Sequence, residues 1–163
     1  KNLYPYTKYF SGHVINNIEM FFISKKQADG KYHLGYLERK MYKPKSNNHY
    51  NGKVYIITGG LTFSAAALLC NDLKGQPGIT LVGEETGGGW YGNSGILIPD
   101  VKLPHTGLRV RMPLYKLIQY QHSRVPQRGM GIMPDIYIAP NYDAIIHGKD
   151  KKIEVIRNLI FTK

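Results

Sequence analysis

Ser64 is the residue whose type and setting best suit covalent chemistry. It follows a short β-branched run, Val54 to Thr58 (VYIIT), and a Gly59-Gly60 pair. It lies at the start of Thr62 to Lys74 (TFSAAALLCNDLK), which reads as a helix of alanines and leucines with Gly75 as its stop and Pro77 beyond. Where a strand turns into a helix N-terminus, free backbone N–H groups and the helix dipole stabilise negative charge. That setting suits a nucleophile whose attack creates an oxyanion. The N–H of Ala65 can point at the oxyanion, and the small Ala65 and Ala66 leave room for a substrate backbone. A structural reading competes: Thr62 or Ser64 caps the helix, as serine and threonine commonly do. Spacing alone leaves the two open.

The second candidate is the glycine-rich stretch GEETGGGWYGNSG, with Gly87, Gly88 and Gly89 at its centre. It has no Gly-Lys-Ser/Thr and so is not a phosphate loop. It also lacks the following helix and downstream acid of a dinucleotide site, so no cofactor is expected. A turn that lets a peptide backbone approach is the functional reading, and a plain loop turn the structural one. Glu84 and Glu85 adjoin at a strand end and point to opposite faces, which makes them no carboxylate dyad. Six histidines, at 13, 33, 49, 105, 122 and 147, show no metal-ligand spacing, and none is singled out as a base. Cys70, the only cysteine, excludes an internal disulfide and sits in an apolar run as a buried structural thiol.

These residues need elements to position them. VYIIT, the helix and Ile79 to Val82 (ITLV) form a βαβ unit, with VYIIT as a buried parallel strand. Further strands are expected at Ile96 to Ile98, Leu108 to Met112 and Ile136 to Ala139. Arg109 and Arg111 share one strand face, where they could meet a substrate carboxylate or simply be solvated. Asp150 to Ile160 reads as an amphipathic helix with Asp150 as N-cap and an apolar face of Ile153, Ile156, Leu159 and Ile160. Upstream, Ile15 to Ser24 and His33 to Tyr42 read as strands or extended arms joined through the Asp29-Gly30 turn pair. Lys43 to Gly52 is a polar loop. The expected organisation is residues 1–52 as an extended arm of the same domain and 53–163 as its core.

Length and composition fit one globular domain: 163 residues, 42% hydrophobic and 20% charged. Thirteen tyrosines suit partly wet surfaces, where a ring packs and its hydroxyl reaches water. The net charge of +11 is unevenly spread: residues 1–53 and 101–163 each carry +7, and residues 54–100 carry −3. No nucleic-acid reader motif accompanies the basic flanks, so nucleic acid is not an expected partner. No run approaches the roughly 18 apolar residues of a membrane helix. The chain begins at Lys1 without an initiator Met or signal peptide, and reads as a processed or truncated piece.

Four blocks, VYIITGGLTFSAAALLCNDLK, LVGEETGGGWYGNSG, LPHTGLRVRMPLYK and GIMPDIYI, occur in this order. Together they resemble the second half of the catalytic domain of the C-terminal processing peptidases, the tail-specific serine proteases, including their tricorn-like branch. The resemblance covers residues 53 to 160 and implies a crotonase-like α/β fold. It implies Ser64 as nucleophile, the Ala65 N–H in the oxyanion hole, Gly87, Gly88 and Gly89 beside a peptide substrate, and an extracytoplasmic location. Departures accompany the match. The lysine base of the Ser-Lys branch would fall at Gly89 and its assisting glutamine at Asn93. The glutamate of the tricorn-like branch, just upstream of the G-[IV]-x-P-D block, would fall at Gln127-Arg128. The D-L-R-x-N-x-G-G segment that supplies the second oxyanion donor does not occur in residues 1–53. The expectation is the C-terminal portion of a longer serine endopeptidase, with base and second donor upstream of Lys1 and the isolated chain inactive or nearly so. The rival is a peptidase-like module that binds without catalysis.

Overall fold

The structure is a computed structural model that describes residues 18, 21–39, 43, 45–119 and 129–161. It falls into two compact units, one of Lys1–His49 with Ile96–Tyr115, the other of Tyr50–Gly95 with Lys116–Lys163.

The second unit holds a three-stranded parallel sheet. Strand β3 (Val54–Thr58) leads through the Gly59-Gly60 turn into helix α2 (Ser64–Leu73), and the chain returns as β4 (Ile79–Gly83). β3 and β4 pair from Val54↔Ile79 to Thr58↔Gly83, which is the expected βαβ unit. On the other side of β4 lies β7 (Ile136–Tyr137), with Val82 opposite Ile136, so the order is β3-β4-β7. β4 is the central strand, and Leu81 and Val82 are wholly buried. β3 is less covered than expected: it pairs with β4 alone among the described residues, only Thr58 is buried, and Ile57 is 45% exposed. Ala67 and Cys70 of α2 pack with Leu81 and Ile132 as the core, with Ile56, Ile79 and Trp90 against it. The Cys70 thiol is buried, and burial pushes its pKa up, as a structural thiol requires.

Helix α3 (Tyr142–Ile146), which the sequence reading did not foresee, is capped by Asn141, whose Oδ1 accepts from the Ala144 N–H. Helix α4 (Lys151–Phe161) starts where expected, with Asp150 Oδ1 accepting from the N–H groups of Lys152 and Ile153. Its apolar face is only partly covered by the described residues: Ile156 is half-buried, but Ile153 is 47% and Ile160 53% exposed.

The first unit is built of hairpins. β1 (Lys25–Lys26) and β2 (Tyr32–His33) pair antiparallel around the Asp29-Gly30 turn. They are followed by α1 (Gly35–Arg39), where a strand was expected. Residues 21–23 are also helical rather than extended. The remainder of those two expected arms, residues 15–17, 19–20 and 40–42, lies outside the described residues. β5 (Asp100–Lys102) pairs antiparallel with β6 (Arg109–Arg111). Ile96 to Ile98 is not a strand, although Leu97 O still accepts from the Leu114 N–H. Arg109 and Arg111 do share a face, and both approach the chain's own Asp100, at 4.0 and 3.9 Å.

Candidate active site

The turn that carries Ser64 is fixed from its first residue. Thr58, the last residue of β3, donates its hydroxyl to Glu84 O at 2.8 Å, and its own carbonyl accepts from the Glu84 N–H at 3.1 Å. Gly59 and Thr62 then close on each other: the Thr62 N–H donates to Gly59 O at 2.8 Å, and Thr62 Oγ1 accepts from the Gly59 N–H at 3.1 Å. Thr62 is thus a turn closer. The helix cap is Phe63, which makes no side-chain cap bond, so neither Thr62 nor Ser64 caps α2.

Ser64 itself is exposed and has φ +51°. A non-glycine residue in the left-handed region costs about 1–2 kcal/mol, and such strain persists only where the surroundings enforce it. The N–H groups of Ala66 and Ala67 both donate to Phe63 O, at 3.1 and 3.4 Å. Those of Ser64 and Ala65 meet no backbone acceptor among the described residues. A strained serine beside N–H donors that meet no backbone acceptor among the described residues is an arrangement that, given a base for its proton, can attack a carbonyl and stabilise the oxyanion that forms.

The glycine loop lies against this turn. Buried Thr86 donates its hydroxyl to Gly88 O at 2.7 Å and accepts from the Ile132 N–H at 2.8 Å. The Gly88 N–H donates to Thr62 O at 2.8 Å. A Cβ at Gly87 would stand 2.1 Å from Gly60 O, and one at Gly88 2.6 Å from the Ala67 Cβ. Those two glycines therefore admit the chain's own backbone against the serine turn. Gly89 differs: it bridges antiparallel to Gly131, and a Cβ there would meet nothing nearer than 3.8 Å. At the loop's far end, Asn93 Oδ1 accepts from the Gly95 N–H at 3.0 Å. A Cβ at Gly95 would stand 3.7 Å from Ser64 Oγ. Gly95 is thus a neighbour of the serine that the sequence reading missed; its only signal was one more glycine in a glycine-rich loop.

Charged groups brace the loop. Glu85 accepts from the Gly131 N–H at 2.6 Å, whereas Glu84 pairs with Lys152 at 2.7 Å, so the two carboxylates do diverge. Asp135 accepts from Lys74 Nζ at 2.7 Å and from the Leu81 N–H at 2.8 Å. Burial works against its charge, but the Lys74 ammonium and the Leu81 N–H outweigh it and hold its pKa below the ordinary aspartate value.

No base reaches the serine: among the described residues, no side chain hydrogen-bonds Ser64 Oγ. The ring nitrogens of His33 bond Asp29 and Glu38, while His49 and His147 each bond a backbone carbonyl through Nδ1. His13, His122, Gln127 and Arg128 lie outside the described residues. Among the described residues, no group of three or more His, Cys, Asp or Glu side chains could hold a metal ion.

Fold and site together define an α/β domain that presents a strained serine at the strand-to-helix turn of a parallel sheet. The sequence profile of peptidase family S41 matches residues 11–138, and the chain belongs to that family, the family of the C-terminal processing peptidases. The crystal structure of a candidate peptidase from Parabacteroides merdae is similar, with a TM-score of 0.53 and 28% sequence identity over 72% of this chain and 35% of that one. This chain therefore spans about a third of that protein's length. No curated protein matches.

Proposed function

We propose that the chain supplies the nucleophile half of a serine endopeptidase of crotonase-like fold. Ser64 Oγ attacks a peptide carbonyl while a base outside this chain takes its proton. The Ala65 N–H stabilises the oxyanion, the amine leaves, and water hydrolyses the acyl-enzyme. The glycine loop lies beside the substrate strand, with Gly89 on its open side and Gly87 and Gly88 seating the loop against the serine turn. The observation that carries this reading is the exposed Ser64 at φ +51° beside an Ala65 N–H that meets no backbone acceptor among the described residues. The resemblance adds an extracytoplasmic location for the whole protein.

A second reading, a non-catalytic peptidase-like binding module, is favoured by the lack of a base at Ser64 Oγ among the described residues and by glycine at position 89. The deciding experiment is labelling of the full-length protein with a fluorophosphonate probe, with Ser64→Ala as control. Labelling that disappears in the alanine variant supports the peptidase. A folded protein that stays unlabelled supports the binding module.

A further inference from the structure

Lys152 belongs to α4, beyond the residues the family profile matches, yet it reaches under the serine turn. Its ammonium donates to Glu84 Oε2 at 2.7 Å and to the carbonyl of Thr58 at 3.1 Å. A Cβ at Gly59 would stand 3.1 Å from the same nitrogen, and one at Gly83 would stand 3.2 Å from Lys152 Cδ. One side chain thus touches the last residue of β3, the first residue of the serine turn and the first residue after β4. From Gly59 the chain runs to Ser64, and from Glu84 to Gly87 and Gly88. The pair is mostly shielded from water, with the two side chains 21% and 28% exposed, so its geometry is better held than that of a surface ion pair.

The position matters because Ser64 is strained. A turn free to relax would return Ser64 to an ordinary φ and shift both Oγ and the Ala65 N–H. A misplacement of about 1 Å costs on the order of a hundredfold in rate. We propose that Lys152 is a positioning residue: with Glu84 it clamps the end of β3 to the start of the glycine loop. The clamp keeps Ser64 in its left-handed conformation and the Ala65 N–H aimed at the oxyanion. The catalytic consequence rests on Ser64 being the nucleophile, whereas the clamp on the turn does not.

The test uses the full-length protein with Lys152→Met, which keeps length without the ammonium, and Lys152→Arg, which restores a cation. The concentration dependence of fluorophosphonate labelling separates the maximal rate from the probe's apparent affinity. In Lys152→Met the maximal rate falls roughly 10- to 100-fold, the apparent affinity stays within about twofold, and Lys152→Arg recovers most of the loss. Amide hydrogen exchange at Gly59, Thr62 and Ala66, whose N–H groups are bonded within the turn, rises at least about tenfold while that of Leu81 and Val82 in β4 is unchanged. Unchanged labelling and unchanged exchange in a folded Lys152→Met protein would overturn the clamp. Acceleration spread evenly over the sheet would do the same, because it marks a pair that only adds stability. If the wild type does not label, the nucleophile reading fails, and exchange alone decides whether the clamp exists. Should Lys152→Met not fold, Glu84→Gln, which leaves the Lys152–Thr58 bond in place, is read in the same way.

Discussion

In the unit that carries Ser64, Leu81, Val82 and Ile132 are wholly buried, and a Cβ at Gly83, Gly87, Gly92 or Gly131 would stand 2.2, 2.1, 2.0 or 1.9 Å from another backbone oxygen. In the hairpin unit, only Ser24 and Pro99 are buried among the described residues, and every residue of β6 is exposed. There the contacts are charge pairs at the surface: His33 with Asp29 and Glu38, and Asp100 with the two arginines. Both units use glycine in the left-handed region, for different reasons. Gly30 (φ +77°) has open space where a side chain would go, whereas a Cβ on Gly83 (φ +134°) would stand 2.2 Å from Thr58 O. At Gly83 packing enforces the backbone geometry, and at Gly30 local turn chemistry does. Each unit also holds one left-handed non-glycine among the described residues, Asn48 (φ +58°) in the hairpin unit and Ser64 (φ +51°) in the other, and asparagine adopts that conformation more readily than serine.

The largest expected effect tests that contrast directly. Gly83→Ala adds a backbone clash to φ strain and costs about 3 kcal/mol, while Gly30→Ala meets strain alone and costs about 1 kcal/mol. Urea midpoints of the two variants measure the difference, and equal losses would erase the contrast.

Asp135 comes next, since it ties β4 to the segment entering β7. Asp135→Asn is expected to cost about 1–2 kcal/mol at neutral pH. Because the folded protein holds the Asp135 pKa below its unfolded value, the carboxylate's contribution is present above about pH 4 and is lost as pH falls through the lowered pKa. The gap between wild type and variant should therefore close in acid, as thermal melts from pH 7 down to pH 2 would show.

Ser64→Gly and Ser64→Ala both remove the hydroxyl, but only glycine relieves φ +51°. The glycine variant should be the more stable by about 1 kcal/mol, read from melting temperatures. The smallest effect belongs to the hairpin unit. Asp100→Asn should change stability by under about 0.5 kcal/mol, because its arginine partners are 74% and 75% exposed and about 4 Å away. A larger loss in denaturant titration would mean that this unit, too, depends on its contacts.

The elements of the serine unit were legible because their signals are local. VYIIT, the alanine-rich helix and ITLV each carry period, length and punctuation within a dozen residues, and Asp150 announces its helix as a cap. The hairpin unit misled for the same reason. MFFIS is a short apolar run that reads equally as strand or helix, and residues 21–23 are helical. At Ile96 to Ile98 the strand was placed too early: Pro99 has no N–H to donate, and the β5 ladder begins at Asp100. Helix α3 is only five residues long, too short for a periodic signal. In the site, Ser64, Ala65 and the glycine loop stood out by type and spacing. Asp135 and Lys152 did not, because their partners lie 54 to 94 residues away in the chain. Only the folded topology brings them in.

That distance has a consequence for the order in which the molecule is made. β3, α2 and β4 are neighbours in sequence and can pair as soon as they leave the ribosome. The bonds that brace the glycine loop from the other side, Gly131 to Glu85 and Ile132 to Thr86, wait for a segment 46 residues further on. Asp135 must close a loop of 54 residues to reach Leu81. The Lys152 bond to Thr58 forms later still, 94 residues on. A nascent chain thus completes the βαβ unit that carries the serine long before the bonds bracing its glycine loop can close, so those contacts are reserved for the finished fold.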